Sequence, residues 1–224
     1  MTYLTQQLAT KGSQKWMQII VNQKQDTINQ QIQTCLGMAE NEEINWRSPL
    51  ATKNYAEYKD QEFLDALEIQ PTKISLSDFW PKSGPRWDAL AKSSSGKLIL
   101  VEAKSHIPEL ISTCKASKTS MIKIQTSIEA TKKRFGVKID YDWTKPFYQY
   151  ANRLAHVYFL RKNGFDAWLI DVYFINDTDM NGPKTIDEWK GAIRLLHRCL
   201  GLKENVLSKF VVDVFIDVAK IQEI

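Results

Sequence analysis

The sequence predicts an α/β fold, a mixed central sheet with helices on both sides. Three observations carry this. Two short apolar runs, Trp87–Ala91 and Leu98–Ala103, flank Ser93-Ser94-Ser95-Gly96 and read as a β-hairpin. Residues Asp166–Ile175 (DAWLIDVYFI) are apolar on both faces, as a central strand is. Before, between and after these runs lie segments whose apolar residues recur at helical spacing. The 224 residues, 43% hydrophobic and 25% charged, suit one sizeable domain.

Taken in order, residues 13–38 form a glutamine-rich helix with Trp16, Ile19, Ile20, Ile28 and Ile32 as its apolar members and Gly37 as its stop. This piece reads as an N-terminal helical extension, residues 1–49, or as half of a homodimer contact. The core then spans residues 50–224. Asn54–Glu68 predicts a helix capped by Asn54, with Phe63, Leu64 and Leu67 as the inward stripe and Glu57 at its edge. After the hairpin, a basic helix over Lys118–Phe135 sets Met121, Ile124, Ile128 and Phe135 against Lys123, Lys133 and Arg134, and Gly136 ends it. Asp140–Trp143 leads to Pro146, a suitable first residue for the next helix, Pro146–Lys162. That helix is apolar nearly all round, which argues burial. Gln149, Asn152, Arg153 and His156 break it as one polar stripe, and buried polar groups need partners. Thr185–Cys199 is a helix with Trp189, Ile193 and Leu196 inward. Phe210–Val218 is a strand with apolar even positions, whose Asp213 and Asp217 are expected to face solvent.

Composition excludes several classes. No apolar run approaches the roughly 20 residues of a membrane helix, and the N-terminus lacks a signal-peptide core. Cys35, Cys114 and Cys199 lie far apart, without metal-ligand spacing or an even disulfide count, so a reduced, cytoplasmic protein is expected. The net charge of +4 is unevenly spread: residues 115–138 hold seven cations against Glu129 alone, a local +6. Such a surface suits a polyanion, and equally a solvated helix face. Walker A, H-E-x-x-H and G-x-S-x-G motifs are lacking.

The hairpin carries the chemistry. Asp88 lies on its first strand, and Glu102 and Lys104, two apart, share a face of the second. His106 joins that face if the strand persists. Charges among Leu98, Ile99, Leu100 and Val101 are costly to bury alone, and a divalent cation between Asp88 and Glu102 would offset that cost. This Asp, gap, Glu-Ala-Lys pattern across paired strands resembles the PD-(D/E)xK nuclease superfamily, with Trp87 rather than proline before Asp88. The resemblance implies the restriction-endonuclease-like three-layer fold. It also implies a site in which Asp88, Glu102 and the Ala103 carbonyl hold Mg²⁺ or Mn²⁺, with Lys104 at the scissile phosphate. In the superfamily the first core helix often supplies a glutamate, which makes Glu57 the candidate. In some branches a glutamine on a helix after the lysine strand supports the site, and Gln149 resembles it. Arg153 and His106 are candidate supporting or substrate contacts. Lys123, Lys133 and Arg134 are candidate nucleic-acid contacts.

The expected function is therefore a metal-dependent nuclease acting on phosphodiester bonds, more often of DNA than RNA. Two alternatives differ in class: a catalytically inactive nucleic-acid-binding module of the same fold, and a protein-interaction protein using the N-terminal helix and the polar stripe.

Overall fold

The computed structural model describes residues 6–138 and 141–222. Asp140, at the start of the turn read before Pro146, lies outside them. A five-stranded sheet runs through the centre in the order β1 (Ile44–Ser48), β2 (Ala89–Ser93), β3 (Leu98–Lys104), β4 (Ala167–Ile175) and β5 (Val211–Asp217). β1, β2 and β3 form an antiparallel meander, and β3, β4 and β5 are parallel. The sheet is mixed, as expected. The helices are α1 (Gly12–Gln23), α2 (Gln25–Leu36), α3 (Asp60–Ala66), α4 (Leu76–Phe79), α5 (Lys118–Arg134), α6 (Tyr148–Lys162), α7 (Ile186–Cys199), α8 (Glu204–Leu207) and α9 (Val218–Gln222). No helix among the described residues is long and apolar enough to cross a membrane.

Period-2 alternation sorts the strands onto two cores. Leu98 and Leu100 of β3, Leu169 and Tyr173 of β4 and Val211 of β5 face α5, α6 and α7. Ile99, Val101, Ala103, Ile170, Val172, Phe174, Val214 and Ile216 face the other way, onto α1 and α2. The N-terminal helices therefore form one layer of the domain. They bury Trp16, Met17, Ile20, Val21, Ile28 and Ile32 against the sheet. Each such side chain is worth about 1.5–3 kcal/mol, so the sheet's second face depends on them. β1, also within the segment read as an extension, is the edge strand of the same sheet. A boundary at residue 49 thus separates no two cores.

Other readings shift. The single helix over 13–38 breaks at Lys24 (φ −138°, ψ 39°) into two, and Gly37 ends the second in the left-handed conformation at φ 57°. The expected helix over 54–68 is confined to α3. Asn54 and Tyr55 have positive φ (50° and 52°), which a helix interior does not contain, and α3 starts only at Asp60. Asn54 ends a 3₁₀ turn at 51–53 instead of starting a helix. Pro146 lies outside α6, which begins at Tyr148. The odd positions of β5 do not simply face water: Val211 is buried, and Asp213, Phe215 and Asp217 are half-buried.

Trp16 tests the layer assignment. Its ring packs on Phe174 at 6.5 Å, and its Nε1 donates to Asp177 Oδ2 at 2.8 Å, closing the sheet from below. Trp16→Ala should cost about 3–5 kcal/mol, read as a lower denaturation midpoint in a single cooperative transition. A loss under 1 kcal/mol would return α1 to the status of an appendage.

Candidate functional site

The site forms where β2 begins. Asp88 lies one residue before the strand, so its side chain can turn into the gap at the ladder's end. There Asp88 Oδ2 accepts the Ala103 N–H at 2.7 Å. Glu102 and Lys104 project from the same face of β3, both buried. Lys104 Nζ donates to Glu102 Oε1, and also to Gln149 Oε1 at 3.0 Å. Arg153, one turn along α6 from Gln149, donates from Nε to Glu102 Oε2 at 2.5 Å. The remaining donors of that guanidinium reach Asn152 Oδ1 (2.9 Å) and the Arg86 carbonyl (2.8 Å), and its plane lies 4.9 Å from the Trp87 ring centre.

Electrostatics follow from this packing. Burial alone would raise the Glu102 carboxyl, but Arg153 and then Lys104 outweigh it and hold Glu102 below the usual range. Burial would also lower Lys104, but Glu102, followed by Asp88, raises it. Asp88 has no such cationic clamp. Burial, then the charge on Glu102, pushes it up to about 8.

Glu57 is not on a helix, yet it reaches the neighbourhood. It is buried in the extended stretch before α3, its Oε1 accepts Gln14 Nε2 at 3.1 Å, and its carbonyl accepts Arg86 Nη1 at 3.0 Å. Burial raises its carboxyl, and Glu102 adds to the rise. The hairpin residues, Gln149 and Arg153 are thus brought together, with Glu57 beside them.

Other candidates are not. β3 stops at Lys104, and His106 turns away to lie 3.5 Å from Glu109. The polar stripe of α6 divides in two. Gln149 and Arg153 face the charges, whereas His156 sits among Phe63, Phe79, Trp80 and Trp87, with Nδ1 2.8 Å from the Asn152 carbonyl. Burial lowers His156 to about 3, so it is a neutral packing residue. Arg134 lies over the Phe210 ring at 5.4 Å, just ahead of β5. That is the end of the parallel strands opposite to Lys104, and Lys133 is its neighbour in the chain. Lys123 donates to the Ser77 carbonyl at 2.8 Å.

Sequence reasoning missed Gln14 and an acid row. Glu102, Asp171 and Asp213 are direct neighbours across β3, β4 and β5. Asp171 is buried, and its Oδ2 has no hydrogen-bond partner among the described residues. Burial, then Asp213 and Glu102, raise it well above the carboxylate range. The signal was present: Asp171 is the one charge inside the apolar run of β4.

Among the described residues, no group of three His, Cys, Asp or Glu side chains could hold a metal ion. The fit to a dication therefore rests on two carboxylates and a carbonyl. Asp88 Oδ1 has no partner among the described residues. In an extended strand the N–H and C=O of one residue point to the same side, so the Ala103 carbonyl is directed to the side Asp88 occupies. A hard dication that keeps several waters fits such a sparse oxygen set, provided that a Glu102 oxygen is shared with its cationic partners.

Asp213 provides a pH test. Burial raises it from 3.8 to about 6, so the folded state holds the proton more tightly than the unfolded chain. Its stabilising protonation is fully present below pH 4 and is lost as pH rises through 6. Asp213→Asn should therefore gain about 1–3 kcal/mol over the parent at pH 7.5 and little at pH 4, measured by thermal melts. Equal effects at both pH values would contradict the burial argument.

Comparison with known proteins finds no family model, no curated protein and no solved structure that matches this chain, so the geometry alone carries the functional argument.

Proposed function

We propose that the chain is a metal-dependent nuclease of the PD-(D/E)xK type, with a restriction-endonuclease-like fold, hydrolysing phosphodiester bonds of DNA in preference to RNA. The observation that carries the reading is Lys104. Its amine is buried on the face of β3 that holds Glu102, within reach of Gln149, at the strand end that Asp88 closes. A helix amide supporting the lysine of an Asp…Glu-x-Lys hairpin is the arrangement the resemblance implies.

Asp88, Glu102 and the Ala103 carbonyl would hold Mg²⁺ or Mn²⁺, which supplies Lewis acidity and a water of lowered pKa. The protein's own groups do the rest. Lys104 donates to the scissile phosphate and offsets the charge that develops there. Gln149 keeps the amine aimed when Glu102 is otherwise engaged. Arg153 fixes the Glu102 carboxylate and keeps it ionised. Glu57, held by Gln14, adds negative charge on the Asp88 side.

One observation favours a second reading, a binding module without turnover. Both Glu102 oxygens are already engaged, one by Lys104 and one by Arg153. A guanidinium can stand where a dication would act, leaving the fold's charge balanced without metal.

Two variants separate these readings. Asp88→Asn should weaken Mn²⁺ binding at least tenfold by calorimetry. Lys104→Met keeps the apolar stem and deletes the ammonium. It should still bind metal and nucleic acid while losing about 10²–10³ in cleavage rate, the usual loss for one electrostatic donor. Cleavage by Lys104→Met at the parental rate would sink the motif assignment. A parent that cleaves no single-stranded, duplex or branched DNA and no RNA, with Mg²⁺ or Mn²⁺, would give the binding module precedence.

A further inference from the structure

We propose that the furrow between residues 80–83 and the start of α5 binds the phosphodiester backbone of a single nucleic-acid strand and leads it to Lys104. Only the link to Lys104 rests on the nuclease reading; the binding itself does not.

A cavity of about 450 Å³ lies between Lys82 and Ser83 on one side and Lys115, Ser117 and Ser120 on the other, with Tyr148 also lining it. A second cavity, about 360 Å³, shares Trp80, Pro81 and Lys82 with the first and adds Lys123, so the two lie side by side along residues 80–82 as one furrow's two halves. Lys82 and Lys115 are exposed, and neither has an ion pair or hydrogen bond among the described residues. The one acid on its wall, Asp60, already accepts the Ser83 and Gly84 N–H groups at 3.0 and 2.8 Å.

The charge placement runs against local stability. α5 opens at Lys118 with no acid in its first turn, and Lys115 lies just ahead of it. A helix N-terminus carries partial positive charge and is stabilised by acids, not lysines. Lys82, Lys115 and Lys123 and a positive helix end thus border one concave space that the described residues leave without a free acid. An anion there resolves the conflict; Ser117 Oγ caps the helix and donates to Ser120 Oγ at 3.2 Å, which leaves the Ser120 hydroxyl, on the same wall, to donate to the anion's oxygens.

The furrow also has a direction. Tyr148 precedes Gln149, which holds Lys104, and the chain from Ser83 runs through Arg86 and Trp87 into Asp88. A chain of anions seated here would continue to the charged cluster. Walls from residues 80–83 and 114–120 suit one strand better than a duplex, which presents its phosphates on a broad convex surface.

The test measures binding alone, in EDTA, with a fluorescein-labelled single-stranded DNA oligonucleotide followed by anisotropy across a salt series. Replacing the three lining lysines, Lys82, Lys115 and Lys123, together by Gln should reduce the salt slope by about 2, at about 0.7 per single-strand contact, and weaken binding about tenfold at moderate salt. Replacing the exposed Lys190, Lys203 and Lys209 by Gln removes the same charge elsewhere and should change neither. Duplex of the same sequence should bind more weakly than the single strand, and polyglutamate should compete poorly. The proposal is overturned if the furrow variant keeps the parental slope and affinity, if duplex binds better, or if polyglutamate competes as well as unlabelled oligonucleotide. The two readings fail separately. Furrow-dependent binding without cleavage by the parent would end the nuclease reading and leave this one standing. Cleavage that the furrow variant performs as the parent does, with unchanged binding, would end this one alone.

Discussion

The clamp on Glu102 is the constraint from which the rest of the site follows. A buried carboxylate near the end of β3 cannot stay ionised on the face it shares with Leu98, Leu100 and Leu169 unless its charge is met locally. Arg153 meets one oxygen and Lys104 the other. Neither cation would be tolerated there without the acid, and breaking a buried pair from one side costs about 3–5 kcal/mol. Each member therefore fixes the position of the others. Because Arg153 comes from α6 and Lys104 from β3, the clamp also pins the helix crossover to the sheet.

Arg153 extends that order outward. Its second nitrogen takes the Arg86 carbonyl, and its plane lies over Trp87, so the segment entering β2 is set by the same side chain that neutralises Glu102. Asp88 follows directly and finds the Ala103 N–H at the end of the ladder. The hairpin supplies the residues, but α6 supplies their geometry. On the other side of the chain, Gln14 of α1 reaches Glu57, so even the layer beneath the sheet contributes a contact to the edge of the site.

Much of this was legible from residues alone. Period-2 alternation located β3 and put Glu102 and Lys104 on one face. A polar stripe on an apolar helix identified Gln149 and Arg153, since buried donors demand acceptors. What stayed hidden required distance in space. The sequence places Glu57 on a helix that the positive φ of Asn54 and Tyr55 forbids, yet it lies beside the acids because the loop, not a helix face, carries it there. The lysines of α5 were treated as one basic face, but a helix of 17 residues spans enough length for its two ends to meet different surroundings. Arg134 stacks on Phe210 at the far end of the strands, while the start of the helix borders the furrow. Asp171 disappears into an apolar run, because one acid in the nine residues of β4 does not disturb a hydrophobic pattern.

The charge count of the cluster carries the argument one step further. Asp88, Glu102 and Glu57 face Lys104, Arg153 and Arg86, an even count, and Asp171 behind Glu102 adds an unmatched acid. The excess settles on the acids without a clamp: Asp88 is pushed up to about 8, and Asp171 well above its ordinary value. A cluster built only for stability would need no surplus, since replacing Asp88 by an amide or Asp171 by an aliphatic residue would remove the repulsion. In the proposed nuclease the surplus would serve a cation entering on the Asp88 side, where Oδ1 is uncommitted, and a phosphate would draw Lys104 away from Glu102. Arg153 then keeps Glu102 ionised while its other partner is engaged. In the proposed nuclease, the residue that makes the resting fold tolerable is therefore the one that lets Lys104 leave it.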